Sequence, residues 1–254
     1  MERILLISPS NGDDPLDAVK TLALPPLSLA TLAAHTPDRY DVEILDEAHG
    51  RVDFDADVDL VGITCMTPLA PRAYEIGDRF RERGVPVVLG GIHASMMPTE
   101  ASAHADAVVV GEADDIWSAV VEDAAAGALE PRYTPQLPRL DDLPSPRRDL
   151  LDDGYYVETV QTSRGCPWNC HFCSVTRFNG GKYRSRPLDD VVQEVEGLAG
   201  KRFFFIDDNL VGSGEPGRQR AERLFDSLRG LGKDWASQTC VSIADDDKLL
   251  SKAA

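Results

Sequence analysis

The chain has 254 residues, a formal net charge of −17 and a hydrophobic content of 43%. This length allows one large domain or two small ones, and the hydrophobic content is enough for ordinary buried cores. The negative charge argues against sequence-independent binding to nucleic acid or to an anionic membrane, and no apolar run approaches the length of a transmembrane segment.

The first half of the chain alternates between apolar runs and helical patterns. The apolar runs are rich in β-branched residues and largely lack polar alternation, which is typical of strands buried on both faces. They lie at residues 3–8, 42–45, 60–64, 85–89 and 107–110. Helical patterns separate them at residues 28–35, 73–80 and 114–125. Strands that alternate with helices predict right-handed βαβ units, and hence an α/β domain with a Rossmann-like parallel sheet over residues 1–127.

Several loops follow these predicted strands, and they are candidates for ligand contact. In open parallel sheets, ligands bind beyond the carboxyl ends of the strands. The candidate loops are residues 8–13, 64–67, 90–93 and 111–112. Gly90 and Gly91 carry no Cβ and would let the backbone approach a large ligand, although a glycine pair equally well terminates a strand.

The second half begins with a proline-rich segment and continues as another α/β pattern. Five prolines recur between residues 128 and 152 and predict a linker. Residues 153–254 form the second predicted domain. Its predicted strands and helices lie at 156–163, 188–198, 202–206, 215–231 and 235–243, with another helix from 245.

Three cysteines follow the strand at 156–163 in the pattern C-x3-C-x2-C, at Cys166, Cys170 and Cys173. Thiolates are the usual protein ligands of iron–sulfur clusters, and three of them leave one iron of a cubane cluster open to a non-protein ligand. Structural zinc usually takes four protein ligands, and His171, between two of the cysteines, would strain a tetrahedral site. A disulfide framework needs paired cysteines in a secreted chain. The pattern therefore favours a cluster.

The other two cysteines, Cys65 and Cys240, lie in apolar runs. We expect both to be small buried side chains rather than ligands. The first ten residues contain no basic, apolar and cleavable leader. Together with reduced cysteines, this predicts a cytoplasmic protein.

Residues 162–173 resemble, position by position, the cluster loop of the radical S-adenosylmethionine (SAM) enzymes. The resemblance implies a [4Fe–4S] cluster on the three cysteines, with SAM chelating the open iron. It places Phe172 beside the SAM adenine, and Asp207, Asp208 and Asn209 at the SAM ammonium group. The residues themselves allow a second interpretation, in which these three polar side chains end a strand and cap the next helix.

The chemistry implied by this resemblance is a radical reaction. In these enzymes the reduced cluster gives one electron to SAM, and the 5′-deoxyadenosyl radical abstracts a hydrogen from an unactivated carbon. We expect a ferredoxin or flavodoxin to reduce the cluster. Residues 153–254 contain about half of the βα units of the family's partial barrel, which predicts an incomplete barrel and a fragment of a longer protein. Arg184 and Arg186 could steer an anionic substrate or form a solvated basic patch.

The order of the loops in the first half resembles the cobalamin-binding domain found ahead of radical SAM domains. The resemblance implies that these loops surround the corrin and its nucleotide tail. The candidate contacts are Ser8, Thr64, Thr67, Gly90, Gly91, His93, Gly111 and Glu112.

The chain departs from the cobalamin-binding pattern at the cobalt ligand. The motif D-x-H-x-x-G, whose histidine ligates cobalt, is absent after the first strand. Asp46 and His49 have the right residue types at the wrong spacing, and we interpret His49 as a surface histidine. Relatives without the ligand histidine hold cobalamin with no protein ligand, and we expect the same here.

Both resemblances together predict a cobalamin-dependent radical SAM enzyme. It would transfer a methyl group to an unactivated carbon, or cyclise or rearrange a small or lipid-like substrate. Two rival functions stay open: a radical SAM enzyme whose N-terminal domain is a cap without cobalamin, and a non-catalytic cobalamin carrier or sensor. A zinc-stabilised binding module is a more distant alternative.

Overall fold

The computed structural model of the chain describes residues 1–10 and 24–254. These residues divide into two units. The first unit comprises Met1–Pro138 and Pro144–Tyr155, and the second comprises Arg139–Leu143 and Tyr156–Ala254. Among the helices of the described residues, none has both the length and the apolarity needed to cross a bilayer.

The first unit is an α/β layer structure around a parallel sheet. Its described strands are β1 (Arg3–Ser8), β2 (Asp41–Asp46), β3 (Leu60–Thr64), β4 (Val87–Gly90), β5 (Ala107–Val109) and β6 (Arg132–Tyr133). Its described helices are α1 (Leu27–Ala34), α2 (Ala70–Glu82), α3 (Gly91–Met96), α4 (Pro98–Ala101) and α5 (Asp114–Ala125). The predicted fold class of this half is confirmed, and the strands fall close to the predicted runs.

The strands of this sheet are all parallel, in the order β2-β1-β3-β4-β5-β6. The second strand, β2, therefore lies on one side of β1, and the later strands β3 to β6 follow one another on the other side. Such a reversal leaves a crevice at the carboxyl ends of the two strands on either side of it, here β1 and β3. The last strand, β6, falls inside the segment that was predicted to be only a linker.

The core of the first unit follows from the alternation of side chains along each strand. In β1, Leu5 and Ile7 face one side of the sheet and pack with α2, while Ile4 and Leu6 face the other side and pack with α5. Each of the four side chains is at most 3% exposed. An apolar run without alternation is therefore the pattern that a sheet covered on both faces requires.

The second unit contains a smaller parallel sheet, and all of its residues are described. In chain order its elements are β7 (Glu158–Val160), β8 (Ser163–Arg164), α6 (Val175–Phe178), β9 (Arg184–Ser185), α7 (Leu188–Gly197), β10 (Arg202–Phe205), α8 (Gly214–Leu228), β11 (Asp234–Ser237) and α9 (Asp247–Ala253). The parallel sheet has the order β11-β10-β7, and β8 pairs with β9 in an antiparallel ribbon. Helices α7 and α8 supply Val191, Val195, Leu224 and Phe225 to its core.

Two predicted strands of the second unit are shorter than expected. The predicted strand 156–163 divides into β7 and β8, and the predicted strand 235–243 ends at Ser237. Beyond Ser237, the Thr239 hydroxyl and the Cys240 N–H donate to the Asn209 side chain, at 2.8 and 3.1 Å. These two donors thus bond to a side chain and not to the backbone of a neighbouring strand. A 3₁₀ turn follows at Val241–Asp245.

Replacement of Trp117 by Phe tests the core of the first unit. Trp117 is 1% exposed, and its indole N–H donates to the Thr36 hydroxyl at 2.8 Å. Phe would leave a cavity and remove the hydrogen bond that the Thr36 oxygen accepts, so we expect a loss of about 1–3 kcal/mol in the free energy of unfolding, measured by urea titration. Trp168→Phe is the control, because Trp168 is 47% exposed. Equal destabilisation in the two variants would contradict this account.

Candidate cofactor sites

The predicted cobalamin contacts lie at one edge of the first sheet. Ser8, Thr64 and Gly90 end β1, β3 and β4, and Gly111 follows β5 after one residue. Because these strands are parallel neighbours, their carboxyl ends meet at the same edge, which we call the first carboxyl edge. The remaining predicted contacts are in the same loops. Residues 11–13, which were also predicted to contribute, lie outside the described residues.

The loops after β3 and β4 are tied together by their backbones. The Cys65 N–H donates to the Gly90 carbonyl, and the His93 N–H donates to the Cys65 carbonyl, both at 2.9 Å. Gly91 has a φ of +87°, and a Cβ there would lie 2.8 Å from the Cys65 nitrogen. Only glycine fits where these two backbone segments approach each other. The paired glycines therefore do more than end a strand.

The two glycines differ in what surrounds them. Gly90 has an ordinary extended backbone with a φ of −138°, and a Cβ built on it would meet nothing within 4 Å. The space in front of Gly90 is thus open. Gly90 marks where a large flat ligand could lie against the backbone of the first carboxyl edge.

Ser95 is a residue of this edge that sequence reasoning missed. Its hydroxyl donates to the Gly91 carbonyl at 2.7 Å and accepts the Gly111 N–H at 2.9 Å. One buried hydroxyl thereby joins the loop after β4 to the loop after β5. The available signal was its position four residues after Gly91, where a helical serine can bond back to the preceding turn.

Three of the side chains at this edge are buried. His93 and Glu112 are each 7% exposed, so their side chains present little surface to a ligand, and their contact with cobalamin stays a prediction. Cys65 is fully buried, as predicted. Its burial, and then the charge of Glu100, raise the pKa of the Cys65 thiol to about 11, so this thiol stays protonated and unreactive.

The structure also corrects the interpretation of His49. Its side chain is 11% exposed, and its ring packs against that of Tyr155 at a centroid distance of 4.2 Å. The Tyr155 hydroxyl donates to the Asp46 carboxylate at 2.6 Å. These residues line a small cleft of about 90 Å³ at the end of β2. A surface position was predicted because the partner, Tyr155, lies more than a hundred residues away in sequence.

The residues at the first carboxyl edge are chemically compatible with a cobalamin. A corrin is a flat ring with an apolar face and an amide-bearing rim. Gly90 leaves open backbone, Met66 is 58% exposed, and Thr67 is an exposed hydroxyl beside it. His93 has both ring nitrogens engaged with neighbouring side chains.

The three predicted cluster ligands lie on one loop of the second unit. Cys166, Cys170 and Cys173 are free thiols between β8 and α6, and Cys170 is exposed. Burial raises the pKa of the Cys166 thiol, and the charges of Asp208, Cys170 and Cys173 raise it further. These surroundings favour the protonated thiol, whereas a metal ligand must be a thiolate, so metal binding would have to displace the proton.

The donor set of this loop fits a cluster better than a single ion. No group of three His, Cys, Asp or Glu side chains within residues 1–10 and 24–254 is close enough around one point to hold one metal ion. In a cubane cluster each thiolate binds a different iron, so the sulfurs do not have to converge. A structural zinc site usually takes four protein ligands, whereas this loop supplies three thiols.

Asp207 lies beneath the cysteine loop and is completely buried. Its carboxylate accepts the Thr162 N–H at 2.9 Å, the Thr162 hydroxyl at 2.7 Å and the hydroxyl of Ser163. Burial raises the pKa of Asp207, although these hydrogen bonds oppose the shift. Both Asp207 oxygens accept hydrogen bonds from the segment that leads into Cys166, and a contact between Asp207 and SAM stays a prediction.

Asn209 has a similar internal role. It is 1% exposed, its amide donates to the Gly212 carbonyl at 3.1 Å, and its oxygen receives the Thr239 and Cys240 hydrogen bonds. A contact between Asn209 and SAM stays a prediction. The hydrogen bonds of Asp207 and Asn209 agree with the second interpretation, in which these side chains end the strand.

Asp208 differs from its two neighbours because it is only half-buried. Its carboxylate accepts the Gly165 N–H at 2.9 Å. Gly165 has a φ of +87°, and a Cβ there would lie 2.0 Å from the Lys182 carbonyl oxygen. Asp208 therefore anchors the turn that immediately precedes Cys166 and stays close to the ligand side of the loop.

Three arginines near this loop bind neighbouring residues of the second unit. Arg186 donates to Glu194 at 2.6 Å, with both side chains 10% exposed, so it forms an internal ion pair rather than a solvated patch. Arg184 donates to the Asn179 side chain at 3.3 Å. Arg220, which sequence reasoning missed, donates to the carbonyls of Thr162 and Arg186, at 3.1 and 2.9 Å.

Cys240 is partly exposed, which corrects the expectation of a buried side chain. Phe172, predicted beside the SAM adenine, is 93% exposed. Its ring lies on the loop that carries the cysteines and is accessible to a ligand.

Comparison with known proteins bears on both the first carboxyl edge and the cysteine loop. The B12 binding domain model matches residues 16–121, and the radical SAM superfamily model matches residues 160–251. A solved structure of the radical SAM methyltransferase TsrM from Kitasatospora setae, with cobalamin and a [4Fe–4S] cluster bound, superposes with a TM-score of 0.68 at 21% identity. The match covers 99% of this chain and 55% of that one, and it confirms the fold class.

Two relatives of known name are methyltransferases. The bacteriochlorophyllide d C-8(2)-methyltransferase of Chlorobaculum tepidum is 39% identical over 189 residues, covering 70% of this chain and 42% of that protein. The hopanoid C-2 methylase of Rhodopseudomonas palustris is 28% identical over 204 residues, covering 75% and 38%. The chain spans about half the length of these proteins or less. It is a radical SAM protein with an N-terminal cobalamin-binding domain.

Proposed function

We propose that this chain holds the cofactors of a cobalamin-dependent radical SAM methyltransferase. Residues 1–127 would bind cobalamin at the first carboxyl edge, and residues 153–254 would bind the [4Fe–4S] cluster and SAM. The observation that carries the proposal is the presence of both features in one chain: a loop with three free thiols, and a sheet edge with open backbone at Gly90.

The roles of the residues follow from their exposure. Cys166, Cys170 and Cys173 would ligate three irons, and the exposed ring of Phe172 would pack against SAM. Asp208 holds the Gly165 amide and so orients the first ligand. When bound, the cluster would supply the electron that cleaves SAM, and cobalamin would supply the methyl group to be transferred.

The substrate is proposed to be a polycyclic, mainly apolar small molecule. The names of the two relatives specify a bacteriochlorophyllide and a hopanoid, both of which are ring systems. In the second unit, Trp168, Phe172 and Val241 expose apolar surface in the loops after β8 and β11. Such surface would favour an apolar acceptor over a charged one.

The proposed setting is a reducing one. Free thiols persist as cluster ligands only where disulfides do not form, so we place the protein in the cytoplasm. A ferredoxin or flavodoxin is the proposed electron donor, because reduction of such clusters needs a carrier of low potential.

The cysteine loop is tested by anaerobic reconstitution with iron and sulfide. We expect about four irons per chain. Single replacements of Cys166, Cys170 or Cys173 by Ala should lose most of this iron, because each removes a ligand. Cys240→Ala is the matched control and should retain it, since Cys240 bonds to Ser242 at 2.9 Å outside the loop. Zinc in place of iron, or loss of iron in the control, would refute the assignment.

Asp207 and Asp208 should separate a folding role from a cofactor role. Asp207→Ala leaves the buried Thr162 and Ser163 donors unpaired, so we expect a loss of about 3 kcal/mol or more in urea unfolding. Asp208→Ala removes one half-buried hydrogen bond and should cost about 1 kcal/mol. It should nevertheless lower the iron content at least about twofold, because the turn before Cys166 loses its anchor. Similar behaviour of the two variants would be evidence against distinct roles.

Gly90 and Gly91 should behave differently when each is replaced by Ala. Gly91→Ala places a Cβ against the backbone and should destabilise the chain by about 1–3 kcal/mol. Gly90→Ala has room for its Cβ, so stability should change by less than about 0.5 kcal/mol. Its methyl group would stand in the proposed corrin site, so retention of hydroxocobalamin after gel filtration should fall. Unchanged retention in Gly90→Ala would argue that cobalamin does not lie against this backbone.

A further inference from the structure

A series of four hydrogen-bonded side chains connects the first carboxyl edge, through the buried His93, to the half-exposed Glu100. The Thr67 hydroxyl lies 3.2 Å from His93 Nδ1. On the other side of the ring, His93 Nε2 lies 3.0 Å from the Tyr74 hydroxyl and 3.4 Å from Glu100 Oε1. The Tyr74 hydroxyl donates to the same Glu100 oxygen at 3.0 Å.

The chemistry of these groups determines which one donates and which one accepts in each hydrogen bond. An ionised carboxylate can only accept hydrogen bonds, so Glu100 is the accepting end. Burial, together with the Glu100 charge, raises the pKa of Tyr74, and its hydroxyl stays protonated and donates to Glu100. The Tyr74 oxygen can then accept a hydrogen bond from His93 Nε2–H.

The direction of the inner bonds determines what Thr67 presents to a ligand. With the proton on Nε2, the His93 Nδ1 atom carries a lone pair and accepts the Thr67 hydroxyl proton. The only hydroxyl hydrogen of Thr67 is then used internally. Its oxygen lone pairs remain, so Thr67 faces the carboxyl edge as a hydrogen-bond acceptor.

The position of Thr67 suits contact with a bound ligand, and the position of His93 does not. Thr67 is exposed and begins the 3₁₀ turn Thr67–Leu69 after β3, beside the reversal between β1 and β3. His93 is 7% exposed and can reach a ligand only through Thr67. Its backbone is also fixed by the bond to the Cys65 carbonyl.

We propose that His93 is a positioning residue that sets the Thr67 hydroxyl as an acceptor for an amide N–H on the rim of cobalamin. Glu100 and Tyr74 fix the tautomer of His93 from behind. This inference rests on the proposed binding of cobalamin at the first carboxyl edge. It assigns to four side chains of α2, α3, α4 and the turn before α2 a single shared role in that binding.

A double-mutant cycle on the full chain tests the proposal with hydroxocobalamin as the probe. The dissociation constant is measured by equilibrium dialysis for wild type, Thr67→Val, His93→Leu and the double variant. We expect Thr67→Val and His93→Leu each to weaken binding about five- to tenfold, the value of one hydrogen bond. The double variant should be no weaker than Thr67→Val alone, because His93 acts only through that hydroxyl.

Two further variants separate the proposed role from general damage. Thr99→Val makes the same chemical change at an exposed threonine of α4 outside the hydrogen-bond chain, and should bind as wild type does. Glu100→Gln alters the accepting end at a side chain that is 47% exposed, and should weaken binding about threefold with an unchanged melting temperature.

The outcomes distinguish the inference from the proposed function. Losses that multiply in the double variant, or wild-type affinity in Thr67→Val, would overturn the positioning role while leaving cobalamin binding intact. Full affinity in Glu100→Gln would overturn the role of the accepting end. No binding of hydroxocobalamin by wild type would refute the cobalamin part of the proposed function, and this inference would fall with it.

Discussion

The second unit depends on the buried carboxylate of Asp207. A carboxylate without water is costly unless hydrogen bonds replace its solvation, and here Thr162 and Ser163 provide those bonds. The same bonds fix the end of the backbone segment that leads to Cys166. Arg220 adds a positive charge nearby and binds the Thr162 carbonyl. The position of the first cluster ligand is thus set by an interior ion and its donors, since the parallel sheet has already ended at β7.

The first unit holds its loops by the same principle with different groups. Beyond the ends of β3 and β4 no strand pairing remains, so backbone bonds at Cys65 and the Ser95 hydroxyl link one loop to the next. His93 fills a similar position with an imidazole. In both units, the polar residues that follow a strand divide into buried ones that hold the loop and exposed ones that are left for a ligand. Sequence position alone does not separate these two groups.

This division explains which predictions succeeded. The strands of the first unit and the cysteine loop are local patterns, and apolar runs or ligand spacing identify them directly. Asp207, Asp208 and Asn209 are adjacent, yet only Asp208 is not fully buried, and each of them has a hydrogen-bond partner about thirty to forty-five residues away. His49 was misjudged for the same reason, since Tyr155 covers it. Propensity carries no information about such distant contacts, so these roles required the three-dimensional structure.

The first carboxyl edge and the cysteine loop also differ in how much of their geometry is fixed before a cofactor binds. At the first carboxyl edge the backbone crossing at Gly91 and the hydrogen bonds of Ser95 hold the loops in place, so a ligand would lose little free energy in ordering them. The cysteine loop is held at its start by Asp208, and Thr176 binds the Trp168 carbonyl at 2.9 Å. Between these anchors Cys170 and Phe172 are exposed. The cysteine loop is therefore anchored on either side of these exposed residues, which remain accessible to a cofactor.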